Sequence, residues 1–159
     1  MTGRAEVQRL QQRLDGTFAR ASGLIGVAGE LELLSDHARY LCVLVSGFFE
    51  QAVIELVLEH ARRNAGKTIQ RYVEARTRRL TNLNTQRLLD VVADFDPDWR
   101  RDLAAYVVDE KKAALDSIVA LRNTISHGRP TSVTLNTVKK YYAQIKDVVG
   151  RVADLCVPV

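Results

Sequence analysis

Proline and glycine are scarce: 3 and 9 among 159 residues. An all-β fold of this size turns at many such breakers, so their scarcity argues against a sandwich or barrel. Cysteine is nearly absent. Cys42 and Cys156 stand far apart in apolar runs, with no C-x-x-C pair. That pattern excludes a disulfide framework and a cysteine zinc site, and a reducing, cytoplasmic compartment is the expectation. Long apolar runs are also missing. The longest, Tyr40 to Phe49, is interrupted by Ser46 and Gly47 and falls short of the ~20 residues that span a bilayer. No membrane association is expected. Met1-Thr2-Gly3-Arg4-Ala5-Glu6 leads into polar, helix-like sequence and not into the apolar core of a signal peptide. No G-x-x-x-x-G-K-[ST] loop for nucleotide phosphates occurs.

What is present is ordinary globular composition. Hydrophobic residues make up 47% and charged residues 26%, which excludes intrinsic disorder. The length suits one domain over residues 1–159. The net charge of +4 is mildly basic and unevenly spread. Arg62, Arg63, Lys67, Arg71, Arg76, Arg78 and Arg79 stand close together against a single acid, Glu74. Such a cluster is either a phosphate-facing patch or a solvated helix surface. In the first reading Arg76, Arg78 and Arg79 contact the phosphates of a nucleic acid.

Apolar periodicity is helical throughout. Val7, Leu10, Leu14 and Phe18 recur at spacings of three and four over Glu6 to Arg20. Gly23, Gly26 and Gly29 loosen the chain. Ser35-Asp36 resembles an N-cap, and from it to about Ala65 runs the dominant helix. That helix is apolar on most sides around Leu41 to Phe49, so it belongs at the centre of the fold. A basic helix, Lys67 to Leu80, follows. Thr81-Asn82-Leu83-Asn84 is a turn with capping chemistry. A short helix through Leu88, Leu89, Val92 and Phe95 stops before Pro97, and Asp96-Pro97 starts another, Trp99 to Tyr106. Asp109 is read as the cap of a helix running to His127, ended by Gly128 and Pro130. Thr134 opens a last helix through Val138, Tyr142, Ile145, Val149 and Val152. No strand of period two and no internal repeat is seen. The expectation is an all-α, up-and-down helical bundle with additional short helices. Ser46-Gly47 is read as permitting close helix packing, and Trp99 and Tyr141-Tyr142 as core or interface.

The late helix carries the informative pattern. Leu115, Ile118, Leu121 and Ile125 form one apolar arc at 100° per residue. Arg122 falls inside its edge, where a cation must snorkel or find an anion. Glu50, set among Phe48, Phe49, Ala52 and Val53, is the carboxylate with the matching need. Lys112, Asp116, Asn123 and His127 line the opposite flank. Beside them lie the small Ala113 and Ala120, which would let another helix approach closely. His127 is read either as a helix-end residue favoured by the dipole or as a functional group. Asn123 hydrogen-bonds phosphate or the facing helix. His37 and His60 have no companion ligands, so neither a metal nor another cofactor is expected.

Arg122-Asn123-Thr124-Ile125-Ser126-His127 resembles the R-x-x-x-x-H motif of the HEPN superfamily, with the polar residue after the arginine that is typical of it. The helix from Ser35 through Glu50 is similar to that of the RiboL-PSP-HEPN branch, and the resemblance covers about Ser35 to Val149. It implies a HEPN-like up-and-down bundle, a homodimer, and a metal-independent endoribonuclease with Arg122 and His127 as catalytic residues. Asn123 and Glu50 would support them. A toxin or defence effector, with an antitoxin or neighbouring defence protein as partner, fits the same resemblance. The alternative is a non-catalytic HEPN module that binds RNA or a partner protein. Some HEPN toxins carry a tyrosine two residues after the histidine, where a nucleotidyltransferase modifies them. Arg129 stands there, so that control is not expected.

The chemistry fits the residue types. Cleavage by the RNA's own 2′-OH needs a base, an acid and a cation for the phosphorane. Histidine titrates near neutrality and serves as base or acid. Arginine stays charged and presents a planar fork to phosphate oxygens. One chain offers a single His127; a two-fold dimer would offer two, with two Arg122. On an ideal helix His127 and Arg122 point about 140° apart, so convergence requires a distorted helix end or the facing copy.

Overall fold

The computed structural model describes residues 2–23 and 31–159. Gly26 and Gly29 lie outside them. Among the described residues there are seven helices and no strand, as the periodicity predicts. They are α1 (Gly3–Gly23), α2 (Leu31–Asn64), α3 (Lys67–Thr77), α4 (Thr85–Ala93), α5 (Pro97–Tyr106), α6 (Asp109–Ser126) and α7 (Leu135–Cys156).

The centre is α2, which packs against α1, α3, α6 and α7. Leu41, Cys42, Val45, Ala52, Val53, Leu56 and Val57 are wholly enclosed. By length and composition Glu32–Asn64 could cross a membrane, but most of its apolar stretch is buried against the other helices, as in the core helix of a bundle. α7 lies along α2 in the same direction. Arg39 near the start of α2 donates to the Thr131 carbonyl just before α7. His60 near the end of α2 meets the Cys156 carbonyl at 2.9 Å. α1 runs opposite to both, since Arg4 at its start donates to the carbonyl of Val157 at 2.7 Å and to Asp154 at 3.0 Å. α6 returns antiparallel to α7 through residues 127–134, and Gln144 meets Glu110 across the pair. This is the expected up-and-down arrangement.

Tyr142 lies in the core, and Trp99 and Tyr141 are half-buried against it. Tyr142 stacks on Phe18 with ring centroids 4.8 Å apart, and its hydroxyl donates to Asp15 at 2.6 Å. Trp99 packs between His60 and Phe95. The shared core draws on α1, α2, α4, α5, α6, α7 and the loop residues Leu80 and Leu83, but on no residue of α3.

Several boundaries differ from expectation. α2 begins at Leu31, so Ser35 and Asp36 sit inside the helix and do not cap it. Both instead bind Arg39, one turn on. Asp109 does not cap α6. It is the first helical residue, in the left-handed region at φ +49°, and the preceding Val108 holds the cap position without a side-chain bond. α3 ends at Thr77, which leaves Arg78 and Arg79 in the turn beyond it. Gly47 permits no close approach: a Cβ there would meet nothing within 4 Å. Among the described residues the glycine that does is Gly3, whose Cβ would lie 2.6 Å from Glu59 Cβ and 2.8 Å from the Glu55 carbonyl.

Candidate active site

The turn Thr81–Asn84 joins three helices. Asn84 caps α4, its side chain accepting the Arg87 N–H at 2.9 Å. Asp116 on α6 also holds the start of α4, accepting the Thr85 N–H at 2.9 Å and Lys112 Nζ at 2.6 Å. Burial acts to raise the Asp116 pKa, but these two bonds outweigh it and hold the carboxyl below its ordinary value. Asp116 therefore belongs to the frame that fixes α4 on α6.

Asn82 lies at the centre of this turn, in the left-handed region at φ +54°. Asparagine is among the few non-glycine residues that tolerate it. The conformation turns its two polar ends in useful directions. Its backbone N–H donates to Glu50 Oε1 on α2 at 2.9 Å. Its side-chain carbonyl accepts Arg122 Nη1 from α6 at 3.1 Å. Glu50 and Arg122 are thus joined through Asn82 and form no direct ion pair, which refines the expectation that the carboxylate itself pairs with the guanidinium. Burial pushes the Glu50 carboxyl above its ordinary value, opposed by the Asn82 N–H and by the charges of Arg122 and Arg87. Asn82 is the residue that periodicity could not find. The available signal was an asparagine two residues before a helix cap, in a turn without glycine.

Arg122 is half-buried, and its Nη1 also reaches Asn123 Oδ1 at 3.5 Å. One turn on, α6 ends in a Schellman motif. The Gly128 N–H bonds the Ile125 carbonyl at 3.0 Å and the Arg129 N–H bonds that of Thr124 at 3.1 Å, with Gly128 at φ +67°. His127 holds the position between helix and glycine, at φ −88° and ψ 8°. Its exposed ring makes no hydrogen bond among the described residues. The motif sets the histidine past the last helical residue, off the ideal helical screw. Lys112, Ala113 and Ala120 on the same helix are exposed.

The basic cluster divides. Arg62 and Arg63 are bound to Glu59 at 3.5 and 3.1 Å. Arg76 and Arg79 line an open groove between α3 and α4, with Arg87 on its other wall. Arg78 is exposed and does not line it. Elsewhere, burial pushes the thiols of Cys42 and Cys156 up to about 11 and about 12, so neither serves as a nucleophile near neutral pH. Among the described residues no three His, Cys, Asp or Glu side chains gather into a metal site.

A seven-helix bundle with Arg122 and His127 at the end of a late helix has the features of a HEPN-type domain. The family model for RiboL-PSP-HEPN matches residues 17–157, and the chain belongs to that family. HEPN domains are often RNases, and others bind nucleotides. No curated protein and no solved structure matches the chain.

Proposed function

We propose that this chain is a single-domain, dimeric, metal-independent endoribonuclease. The observation that supports it most is the layout of α6: Arg122 held by Asn82 within reach of a buried carboxylate, and an unengaged His127 presented by the Schellman turn. In the proposed dimer the exposed flank with Ala113 and Ala120 meets its two-fold copy. One His127 takes the 2′-OH proton, the 2′-oxygen attacks phosphorus, and the partner's His127 protonates the departing 5′-oxygen. Arg122 neutralises the phosphorane, with Asn123 beside it as a donor to phosphate. Arg76, Arg78 and Arg79 guide the RNA backbone. A cytoplasmic toxin or defence effector restrained by an antitoxin or neighbouring protein is the biological setting this chemistry suits. The second reading, a HEPN module that binds without cutting, draws on Arg122 itself: a guanidinium tied to Asn82 already has a structural use.

Purified protein incubated with RNA in EDTA distinguishes the two. Cleavage leaving 2′,3′-cyclic phosphate ends is expected. General acid–base groups contribute about 10²–10⁴-fold, so His127→Ala should lose most of the rate while keeping its fold. Arg122→Lys keeps the charge, loses the fork, and should recover little. Undiminished cleavage by His127→Ala, or cleavage that requires a divalent metal, leaves the binding module as the function.

A further inference from the structure

The groove between α3 and α4 encloses about 810 Å³, within the ~300–1,000 Å³ range of small-molecule sites. Its walls are unusual for this molecule. α3 contributes nothing to the shared core, yet it carries two large exposed apolar side chains, Ile69 at 55% and Tyr72 at 62% exposure. Tyr72 lines the groove. Its ring is not stacked on any aromatic neighbour among the described residues. Arg76 lies one turn further along the same face of α3, and Arg79 and Arg87 complete the basic lining. None of these three arginines takes part in a salt bridge among the described residues. Two carboxylates also line the groove. Asp90 is bound by Arg100 at 2.9 Å. That leaves Asp94 against three guanidinium groups.

We propose that this groove seats an unpaired nucleotide of the RNA, with its base stacked on Tyr72 and its flanking phosphates on Arg76, Arg79 and Arg87. The inference rests on RNA being the substrate and names its class: a single-stranded segment. An exposed ring beside a positive track is the arrangement by which single strands are held, since every base has a π-face and only an unpaired base can offer it. A duplex keeps its bases stacked on one another and has none to give to Tyr72. Continuity with the cleavage site comes through Arg87. It lines the groove and donates its backbone N–H to Asn84, in the same turn as the Asn82 that accepts Arg122. A strand lying on Tyr72 and passing Arg87 is thereby led toward Arg122.

The test is binding by fluorescence anisotropy, with His127→Ala as the background so that the RNA stays whole. The probes are a short labelled single-stranded RNA of mixed sequence and the same strand annealed to its complement. Tyr72→Ala should weaken binding of the single strand about tenfold or more, and binding of the duplex far less. Tyr72→Phe, which keeps the ring, should bind like the background protein. Replacing Arg76 and Arg79 together should lower the salt slope by about 1.4, at ~0.7 per phosphate contact on a single strand. Equal single-strand affinity for Tyr72→Ala and background overturns the proposal, as does an equal loss on both probes, or no binding of either. Parent protein that cuts no RNA while Tyr72-dependent binding persists leaves the groove standing and removes the nuclease reading. Parent protein that cuts RNA while Tyr72→Ala binds unchanged removes the groove alone.

Discussion

Glu50 and Arg122 carry opposite charges on neighbouring helices, yet Asn82 stands between them. A direct pair would neutralise the guanidinium. With Asn82 as intermediary, Glu50 accepts a backbone N–H, and Arg122 spends its Nη1 on the neutral carbonyls of Asn82 and Asn123 and keeps Nε and Nη2. The cost falls on Glu50, whose carboxyl is desolvated and titrates above its ordinary value. Below that ordinary value Glu50 is protonated in folded and unfolded chains alike, and its contribution to stability is fully present. As pH rises further the unfolded chain releases the proton first, so stability falls until pH passes the folded value. Glu59 and Asp116, held below their ordinary values, act with the opposite sign and lose their contribution as pH falls. Glu50→Gln keeps an acceptor for the Asn82 N–H and cannot ionise. Urea unfolding across mildly acid to neutral pH should show the parent losing stability relative to Glu50→Gln in that window. Glu59 and Asp116 are common to both proteins and cancel, so a constant difference would place Glu50 in a solvated site.

At the scale of elements, the helix starts and the glycines separate what pattern can reveal from what it cannot. Amphipathic periodicity located α1, α4, α6 and α7, because each buries a stripe against α2 or its neighbours; α2 was legible from apolar residues on most sides, α5 from Asp96-Pro97, and α3, of which only Thr77 is buried, from its basic sequence after the Asn64–Gly66 stop. The helix starts at the Thr81–Asn84 turn, at Asp96-Pro97 and at Thr134 were legible, and the structure places the cap bonds there on Asn84, Asp96 and Thr134. The start of α2 was not. Ser35 and Asp36 have cap chemistry, but they serve Arg39 instead, inside a helix that already runs from Leu31. Arg122 and His127 were legible as a spaced pair. Asn82 was not, since its role depends on a left-handed backbone and on two helices distant in sequence. Gly3 and Gly47 were indistinguishable by type, and only packing ranks them. Gly3→Ala would press a methyl group into Glu59 and the α2 backbone and should cost about 1–3 kcal/mol. Gly47→Ala fills open space inside a helix and should gain about 0.5–1 kcal/mol. Thermal or denaturant midpoints of the two variants give the check. Shifts of the same sign would mean that α1 does not dock on α2 through Gly3.

At the scale of the whole molecule, one chain presents one His127 at the end of α6, while transesterification moves two protons. A two-fold axis beside α6 would resolve this. Ala113 and Ala120 leave that flank low, and a symmetric pairing repeats each group across the axis. Such a site makes activity depend on pairs of chains. Parent protein mixed with equal His127→Ala, with subunits allowed to exchange, puts about a quarter of all dimers in the form with two parent chains. If both histidines are needed, only those dimers cut, and activity per parent chain should fall to about half. Raising the proportion of His127→Ala should lower it further, in step with the fraction of parent chains. If each histidine acts alone, a mixed dimer cuts at half the rate of a parent dimer and activity per parent chain stays level; a monomeric enzyme gives the same flat line. Sedimentation velocity on the same mixtures separates those two cases. A flat line with a dimer present would assign both proton transfers to one histidine and a solvent water. The partner would then serve only to complete the surface on which RNA lies.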